Sequence, residues 1–545
     1  MKHQVENRAS LKPDAHIGVV GAGAMGAGIA QVASQAGHKV FLYDQNEEAS
    51  FRAKESISLL LNKKVAKGTI TREHYDTCIA NIIPLHSLDE LKSADLIIEA
   101  IVETLEIKQS LFRALELICK PECILASNTS SISITAIASC LKYPERFLGL
   151  HFFNPAPVMP LVEVISGLAS DQLIAKQLYD TCLLWGKTPV KTKSTPGFIV
   201  NRVARPFYAE ALRIYEEQGA GIQQIDRLMK TAGQFRMGPF ELMDLIGHDV
   251  NYAVTLSVFN AYYQDPKFKP SLTQKSLVEA GFLGKKAARG FYTYDDSGQK
   301  LNTASNFSEL GNEKLCVLNA SDSYKTSSQV ELLPVSNRGG HSQPNVKNQP
   351  AHPLKRLITR FNKIGLISES QLQNEIPFTY LKYGEAVVAL TDGRTATERS
   401  ALEAIDNLIL IDMAFDFEQV TSLGMSVSAF SSNQAIQDAM TLFKLIEIDL
   451  IALEDIPGLI VMRTLAMLTN EAAQTCMQGI ASAKDIDIAM CYGVNYPQGP
   501  LAWGQRVGVD YVFQVLSHLQ AHYGEERYRA SSLIKRLSLT GETFY

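Results

Sequence analysis

The sequence predicts an α/β domain built on a parallel sheet, followed by an all-α domain, a degenerate α/β segment and a second copy of the all-α domain. Three observations predict this order. Residues 16–44 read as a strand, a glycine-rich turn, a helix and a second strand. After Pro196 the apolar residues fall at three- and four-residue spacing and strand alternation stops. Finally, Pro196-Gly197-Phe198-Ile199-Val200-Asn201-Arg202 recurs 261 positions later as Pro457-Gly458-Leu459-Ile460-Val461-Met462-Arg463.

In the first segment, His16-Ile17-Gly18-Val19-Val20 is a short apolar run, Gly21 to Gly28 form the turn and helix start, and Lys39 to Tyr43 form the second strand, closed by Asp44. A βαβ unit of this size matches one mononucleotide-binding half. Apolar runs at 95–101, 123–126 and 147–150 follow, with helical stretches between them. Such alternation gives a parallel sheet covered on both faces, and the domain spans 14–195. Stretches 197–218, 222–233 and 238–262 are helical and fall in a domain over 196–294 that ends near Gly290-Phe291-Tyr292.

Residues 295–377 are rich in Ser, Asn, Gln and Lys, as in Ser336-Asn337-Arg338-Gly339-Gly340-His341-Ser342-Gln343-Pro344, and read as a polar linker or insertion. Regular α/β character returns over 378–455, with strands near Ala386–Leu390 and Leu408–Ile411. The second helical copy occupies 456–545. The repeat holds without a gap through Glu210/Glu471, Asp226/Asp487, Met229/Met490, Gly238-Pro239/Gly499-Pro500 and Gly247/Gly508. Fourteen of 52 aligned positions are identical, too many for chance at one fixed offset.

The bulk composition excludes several classes. Hydrophobic residues make up 46% and charged residues 20%, so each domain can bury a full core. A net charge of −5 offers no general attraction to nucleic acid or to an anionic membrane, and neither is an expected partner. The eight cysteines, at 78, 119, 123, 140, 182, 316, 476 and 491, lack metal-ligand spacing. No metal is expected, and the thiols read as reduced. The amino-terminal stretch MKHQVENRASLKPDAH lacks the apolar region of a secretory signal, and no apolar run approaches the ~20 residues of a membrane span. The expected location is the cytoplasm.

Gly21-Ala22-Gly23-Ala24-Met25-Gly26 fits the GxGxxG pattern of a Rossmann-type turn. The first glycine permits the tight turn, the second admits a pyrophosphate to the backbone, and the third lets the helix pack on the strand. The helix start then faces the phosphates with free N–H groups. Asp44, 18 residues after Gly26, is placed to accept hydrogen bonds from the adenine ribose, and Gln45-Asn46 supply no cation for a 2′-phosphate. The pattern predicts NAD; an FAD site or a purely structural turn are the alternatives.

Asn128-Thr129-Ser130-Ser131 follows the apolar run Ile124-Leu125-Ala126, at a strand end that faces the ligand crevice of an open α/β sheet. His151 lies between an apolar strand and Phe152-Phe153, and Glu163 sits inside the otherwise apolar Leu161-Val162-Glu163-Val164-Ile165. Prolines 155, 157 and 160 mark a turn between them, and a hairpin-like return places His151 beside Glu163. Histidine suits the removal of a hydroxyl proton, and a buried glutamate suits the support of the imidazolium. On spacing alone, a satisfied core histidine and a strand acid paired with a lysine fit equally well.

Residues 16–294 resemble the L-3-hydroxyacyl-CoA dehydrogenase family throughout. The resemblance is carried in order by VVGAGAMGAGIAQVASQAGHKVFLYD, ADLIIEAIVETLEIKQSLF, SNTSSISI, RFLGLHFFNPAPVMPLVEVI, TPGFIVNR, MGPFELMDLIG and GKKAARGFYTY. It implies oxidation of the 3-hydroxyl of an acyl-CoA by NAD, with the acyl-CoA lying between the first domain and the 197–292 helices. It implies that His151 is the base, Glu163 its carboxylate partner, and Ser130 and Asn201 the residues that hold the reacting oxygen and its neighbours. Glu103 and Lys108 match a pair on the cofactor side, where Asn128 also lies. Lys64 or Lys67 would meet coenzyme A phosphates, although a lysine-bearing helix face is commonly only solvated.

In the C-terminal half, LTDGRTATER and PGLIVMRTLAMLTNEAA…GVNYPQGPLAW resemble the long 3-hydroxyadipyl-CoA dehydrogenases of phenylacetate breakdown. That resemblance implies 3-hydroxyadipyl-CoA as substrate, with 3-hydroxybutyryl-CoA or a general short-chain substrate as the alternative. The second copy reads as non-catalytic, since Met462 replaces Asn201 and residues 385–450 lack both GxGxxG and a His/Glu pair. Asp392-Gly393-Arg394 reads either as a tight turn or as a contact to an acidic group. The duplication predicts an internal pseudo-dimer, or else a homo-oligomer. A free hydroxy-acid dehydrogenase and a non-catalytic NAD/NADH-binding protein are the competing readings.

Overall fold

In the computed structural model of the protein, the residues described are 10–301, 329–334, 354–367 and 378–545. The amino-terminal nine residues, Cys316 and the Ser336–Pro344 run, on which parts of the sequence reading rest, lie outside them. The chain forms two compact units, Met1–Arg202 with Gln478–Val494, and Val203–Met477 with Asn495–Tyr545.

The first unit holds an eight-stranded sheet, with β1 (His16–Val20), β2 (Lys39–Tyr43), β3 (Ile82–Pro84), β4 (Leu96–Glu99), β5 (Ile124–Ser127), β6 (Phe147–Phe152), β7 (Leu161–Ser166) and β8 (Thr188–Lys193). Their order is β3-β2-β1-β4-β5-β6-β7-β8. Strands β1 to β6 are parallel. Strand β7 runs antiparallel to β6, and β8 follows β7 in parallel. The parallel sheet expected from the sequence is present in β1 to β6, and the hairpin-like return expected between His151 and Glu163 is the antiparallel β6/β7 pair, which makes the sheet a mixed one. The cause is the connection Phe153 to Pro160, which is too short for the dozen or more residues of a parallel crossover, so the chain reverses.

Both faces of this sheet are covered. Ile17, Val19, Val40, Leu42 and Ile98 join one core cluster, while Val20, Ile97, Leu125 and Phe147 join the other. Alternate side chains of one strand thus serve opposite faces, which is why the strands read as continuous apolar runs. Helix Ala483–Val494, from the second half of the sequence, packs in this unit on β7 and β8. At Gly493 an added Cβ would come within 2.6 Å of Leu161.

The second unit holds a six-stranded sheet of β9 (Glu331–Pro334), β10 (Phe378–Tyr383), β11 (Ala386–Leu390), β12 (Leu408–Ile411), β13 (Ser422–Val427) and β14 (Asp449–Ala452). Its order is β14-β13-β12-β11-β10-β9, with β11/β12 and β13/β14 parallel and the other pairs antiparallel. The polar stretch 295–377 therefore contributes an edge strand, and also a helix, Leu354–Lys363, whose Leu357, Ile358 and Phe361 are buried.

The repeat is visible in the elements. Helices Ile222–Thr231, Pro239–Ile246 and His248–Ala261 correspond to Ala483–Val494, Pro500–Val507 and Val509–Tyr523. The backbone repeats as well: Gly197 and Phe198 have φ of +74° and +47°, and Gly458 and Leu459 have +75° and +54°. A left-handed conformation is uncommon for a bulky apolar residue, so its recurrence at the same register marks one turn used twice. Helix Ile222–Thr231 packs on β13, while its counterpart Ala483–Val494 covers β7 and β8.

Two polar devices hold the second unit. Arg394 pairs with Asp392 and Glu403, so the Asp392-Gly393-Arg394 turn, with Gly393 at φ +102°, closes on its own acids. Burial opposes ionisation of Asp392, but Arg399 and Arg394 outweigh it and hold the carboxyl at about 2. Asp412, fully buried, accepts backbone N–H bonds from Ile460 (2.9 Å), Val461 (2.7 Å) and Met462 (3.0 Å). Leaving such donors unpaired costs about 1–3 kcal/mol each, so Asp412→Ala is expected to lower the melting temperature by several degrees. NADH affinity, measured by fluorescence titration, is expected to stay unchanged in that variant.

Candidate active site

Because β1, β4, β5 and β6 run parallel, their carboxyl ends share one edge of the sheet. That edge carries Gly21 to Gly26 after β1, Glu103 after β4, Asn128 to Ser130 after β5, and His151 near the end of β6. The carboxyl edge of an open parallel sheet is where ligands bind.

The glycine turn has the geometry a pyrophosphate requires. Gly21 lies at φ +105°, and a Cβ there would come within 2.4 Å of the Ala100 carbonyl oxygen. At Gly26 a Cβ would meet the Gly21 carbonyl oxygen at 1.8 Å, so the third glycine is demanded by the turn itself. Gly23 is different: a Cβ there meets nothing within 4 Å. It caps helix Ala24–Gln35 without a side-chain hydrogen bond, and Gly23 and Ala24 are exposed, with Met25 half-buried. The open cradle and the unfilled helix start fit a dinucleotide phosphate. Asp44 Oδ2 accepts the Ala22 N–H at 2.7 Å and Oδ1 that of Asn46 at 2.9 Å, which fixes the carboxylate beside the turn.

His151 and Glu163 are directly opposite in the β6/β7 ladder. His151 Nδ1 lies 2.7 Å from Glu163 Oε2. Glu163 is 1% exposed and His151 7%, so the pair is shielded while the ring retains a path to solvent. Phe153 and Phe198 flank the ring, with centroids at 4.5 and 6.1 Å. With Nδ1–H donating to the carboxylate, Nε2 carries the free lone pair. The other oxygen of Glu163 is also engaged: Oε1 accepts the N–H groups of Ile199 (3.0 Å) and Val200 (3.1 Å). One carboxylate therefore orients the imidazole and anchors the turn that presents Asn201.

Asn201 Nδ2 donates to the Ser130 carbonyl oxygen at 3.4 Å, which joins that turn to the strand end of β5. Ser130 is held by Glu103, whose Oε1 accepts the hydroxyl of Thr129 at 2.6 Å and the N–H groups of Ser130 and Ser131 at 3.0 and 3.2 Å. Burial opposes ionisation of Glu103, but the Thr129 hydroxyl and Lys108 lower its pKa. Lys108 is 1% exposed and sits between Glu99 (2.5 Å) and Glu103 (3.2 Å), so it faces acids and not the crevice. Asn128 Oδ1 accepts the Phe152 N–H at 2.8 Å and ties β5 to β6. Lys64 and Lys67 lie exposed at the end of helix Glu47–Ala66. They are not among the residues brought together around His151.

Sequence reasoning missed the second task of Glu163 and the clamp that Glu103 places on the serine turn. Both link residues more than 25 positions apart and leave no periodic signal. A second histidine–acid pair also escaped it: His248 Nε2 is 2.7 Å from Asp244 Oδ1, with both side chains fully buried. Its enclosure marks it as structural. Among the described residues no group of histidines, cysteines and acids is arranged for a metal, and no helix is long and apolar enough to cross a membrane.

Residues 16–195 match the NAD-binding domain of 3-hydroxyacyl-CoA dehydrogenase, and 197–294 and 458–543 both match its C-terminal domain. Residues 388–457 match a reduced Rossmann-fold domain of 3-hydroxybutyryl-CoA dehydrogenase. The 3-hydroxyadipyl-CoA dehydrogenase of Escherichia coli K12 is 41% identical over 96% of this chain and 97% of its own. The mouse mitochondrial hydroxyacyl-coenzyme A dehydrogenase is 42% identical over 51% of this chain and 91% of its own. A crystal structure of 3-hydroxybutyryl-CoA dehydrogenase from Escherichia coli K12 superposes with a TM-score of 0.80 at 38% identity, covering 97% of this chain and 99% of the other. The chain belongs to the 3-hydroxyacyl-CoA dehydrogenase family and is an NAD-dependent oxidoreductase.

Proposed function

We propose that the enzyme oxidises the 3-hydroxyl of L-3-hydroxyacyl-CoA thioesters and that 3-hydroxyadipyl-CoA is its preferred substrate. The buried His151–Glu163 pair at the carboxyl edge of the sheet carries the reading. NAD, held at the glycine turn, would supply the acceptor for the hydride of the alcohol carbon. His151 takes the hydroxyl proton on Nε2, and Glu163 offsets the charge of the imidazolium through Nδ1–H. Ser130 and Asn201 hold the reacting oxygen. In the reverse direction His151 returns the proton. Gly21 to Gly26, with Ala24 and Met25 at the helix start, cradle the pyrophosphate, and Asp44 receives the adenine ribose. Glu103, braced by Lys108, and Asn128 shape the cofactor side, and Lys64 or Lys67 meets the coenzyme A phosphates. The cytoplasm suits its seven unpaired cysteines among the described residues.

The relative that is similar over nearly the whole chain supports the adipyl substrate, and the solved structure of the 3-hydroxybutyryl enzyme favours the shorter acyl group as a second reading. Comparing kcat/KM for 3-hydroxyadipyl- and 3-hydroxybutyryl-CoA separates them. A ratio at or below one refutes the adipyl preference. Turnover of free hydroxy acids at the thioester rate, or no NADH consumption with acetoacetyl-CoA, would refute the broader reading.

We further propose that the second half is a non-catalytic copy that makes the chain an internal pseudo-dimer. Three observations support it. Met462 stands where the first copy has Asn201, and Asp412 spends both oxygens on backbone N–H groups, with no imidazole to orient. The paired helices are also exchanged: Ile222–Thr231 covers the second sheet and Ala483–Val494 the first. Removing residues 378–545 strips the cover from β7 and β8, next to Glu163. The truncated protein is expected to self-associate or aggregate in analytical ultracentrifugation. A well-behaved, active monomer would overturn the proposal.

A further inference from the structure

A cavity of about 730 Å³ lies in the second unit and is lined by none of the residues assigned to the active site. Its wall is formed by one face of helix Arg205–Glu216 along its whole length, by Pro266 to Gln274, and by Glu525 to Arg527. Arg205 is 6% exposed, donates Nη1 to Thr255 Oγ1 at 2.9 Å and lies over the Tyr208 ring. Its Nε has no hydrogen-bond partner, and no carboxylate among the described residues reaches ion-pair distance. Burial lowers its pKa, and only the phenols of Tyr208 and Tyr496 act against that. Two other buried arginines differ, since Arg463 is paired with Glu210 and Glu217, and Arg399 with Asp392 and Glu403.

A buried guanidinium without a counter-charge is costly, and here it borders open space in place of an acid. Arg527, 9% exposed, lines the same cavity; its Nη2 donates to the Pro266 carbonyl oxygen, and its Nε lies 3.8 Å from Glu525 Oε2. Lys269 is exposed on the rim. The acids of the wall are already engaged: Glu217 and Glu525 with Arg213, Glu216 with the Ser271 hydroxyl, and Glu526 with Arg529. The start of helix Leu272–Glu279, the positive end of its dipole, faces the same space. Leu212, Phe268 and Leu272 supply an apolar side.

We propose that this cavity binds a phosphate monoester with an apolar body, the phosphate compensating Arg205 and the body resting on Leu212, Phe268 and Leu272. The site is independent of the substrate and cofactor assigned above. Calorimetric titration of the full chain with phenyl phosphate tests it, with NADH in excess so that the dinucleotide phosphate positions are filled. One site per chain is expected, with inorganic phosphate and benzoate each weaker by about tenfold, for want of the apolar body or of the second charge.

Arg205→Met, which keeps the packing on Tyr208, is expected to weaken phenyl phosphate by about tenfold or more and to leave 3-hydroxybutyryl-CoA oxidation unchanged. Leu272→Asp puts a carboxylate on the rim at a residue 75% exposed, where folding is not at stake, and is expected to abolish binding. It decides the matter if Arg205→Met fails to fold. Absence of saturable binding, or binding that survives Leu272→Asp, overturns the site. Equal affinity for benzoate overturns its phosphate chemistry, and equal affinity for inorganic phosphate overturns the apolar subsite.

Discussion

His151→Gln is expected to lower kcat for 3-hydroxyacyl-CoA oxidation by about a thousandfold, within the range that a positioned general base contributes. Glutamine fills a similar volume and its amide can still donate to Glu163 Oε2, so the β6/β7 ladder keeps its register. What disappears is the lone pair on Nε2. The glycine turn and Asp44 make their contacts with the backbone of Ala22 and Asn46, far in sequence from His151, so NADH affinity is expected to change by less than about twofold, below the ~0.6 kcal/mol that RT represents. The loss should therefore appear in kcat at saturating substrate and not as a failure to bind NADH. A kcat within about tenfold of the wild type would falsify the assignment, because the step would then proceed without the proton acceptor.

How much of this was legible in the sequence depends on the range of the interaction. The glycine turn was readable because each glycine answers a local steric demand: positive φ at Gly21, contact at Gly26 and open space at Gly23. The adjacency of His151 and Glu163 was readable because a proline-marked connection between two apolar runs leaves the chain little choice but to return. The same shortness makes β7 antiparallel to β6, as the hairpin-like return required, while the alternation of strands and helices holds for the parallel β1 to β6. Less was readable where one atom serves a distant partner. Glu163 Oε1 reaches Ile199 and Val200, and Glu103 reaches Thr129 to Ser131, across loops whose closure no residue pattern announces. Nor does the amphipathic pattern of helix Ala483–Val494 say which sheet it covers. Periodicity reports that a face is buried, not against what. The strand Glu331–Pro334 escaped for a related reason: an edge strand in a polar stretch gains its order from pairing with β10, not from its own composition.

The two oxygens of Glu163 lead to the other large effect. In Glu163→Gln the amide oxygen can keep the Ile199 and Val200 N–H groups, while the amide nitrogen turns to His151 Nδ1 as a donor. The imidazole must then accept at Nδ1 and carry its proton on Nε2, the wrong tautomer for a base. Activity is expected to fall by about 10³–10⁴, as when the acid of a histidine-based triad becomes an amide, with the melting temperature close to that of the wild type. Glu163→Ala removes both tasks. It strands two buried N–H groups at about 1–3 kcal/mol each and frees the Phe198 turn, with its left-handed backbone, to relax. Its melting temperature is expected to fall by several degrees, as for Asp412→Ala, which strands the equivalent donors in the second copy but has no imidazole to misdirect. The double variant His151→Gln/Glu163→Gln separates a working pair from two independent contributors. If the carboxylate acts only through the ring, its loss adds little once the ring is gone, and the double variant should be about as active as His151→Gln alone. If the two losses multiply instead, Glu163 does something for the reaction that does not pass through His151, and the orienting role assigned to its Oε2 is wrong.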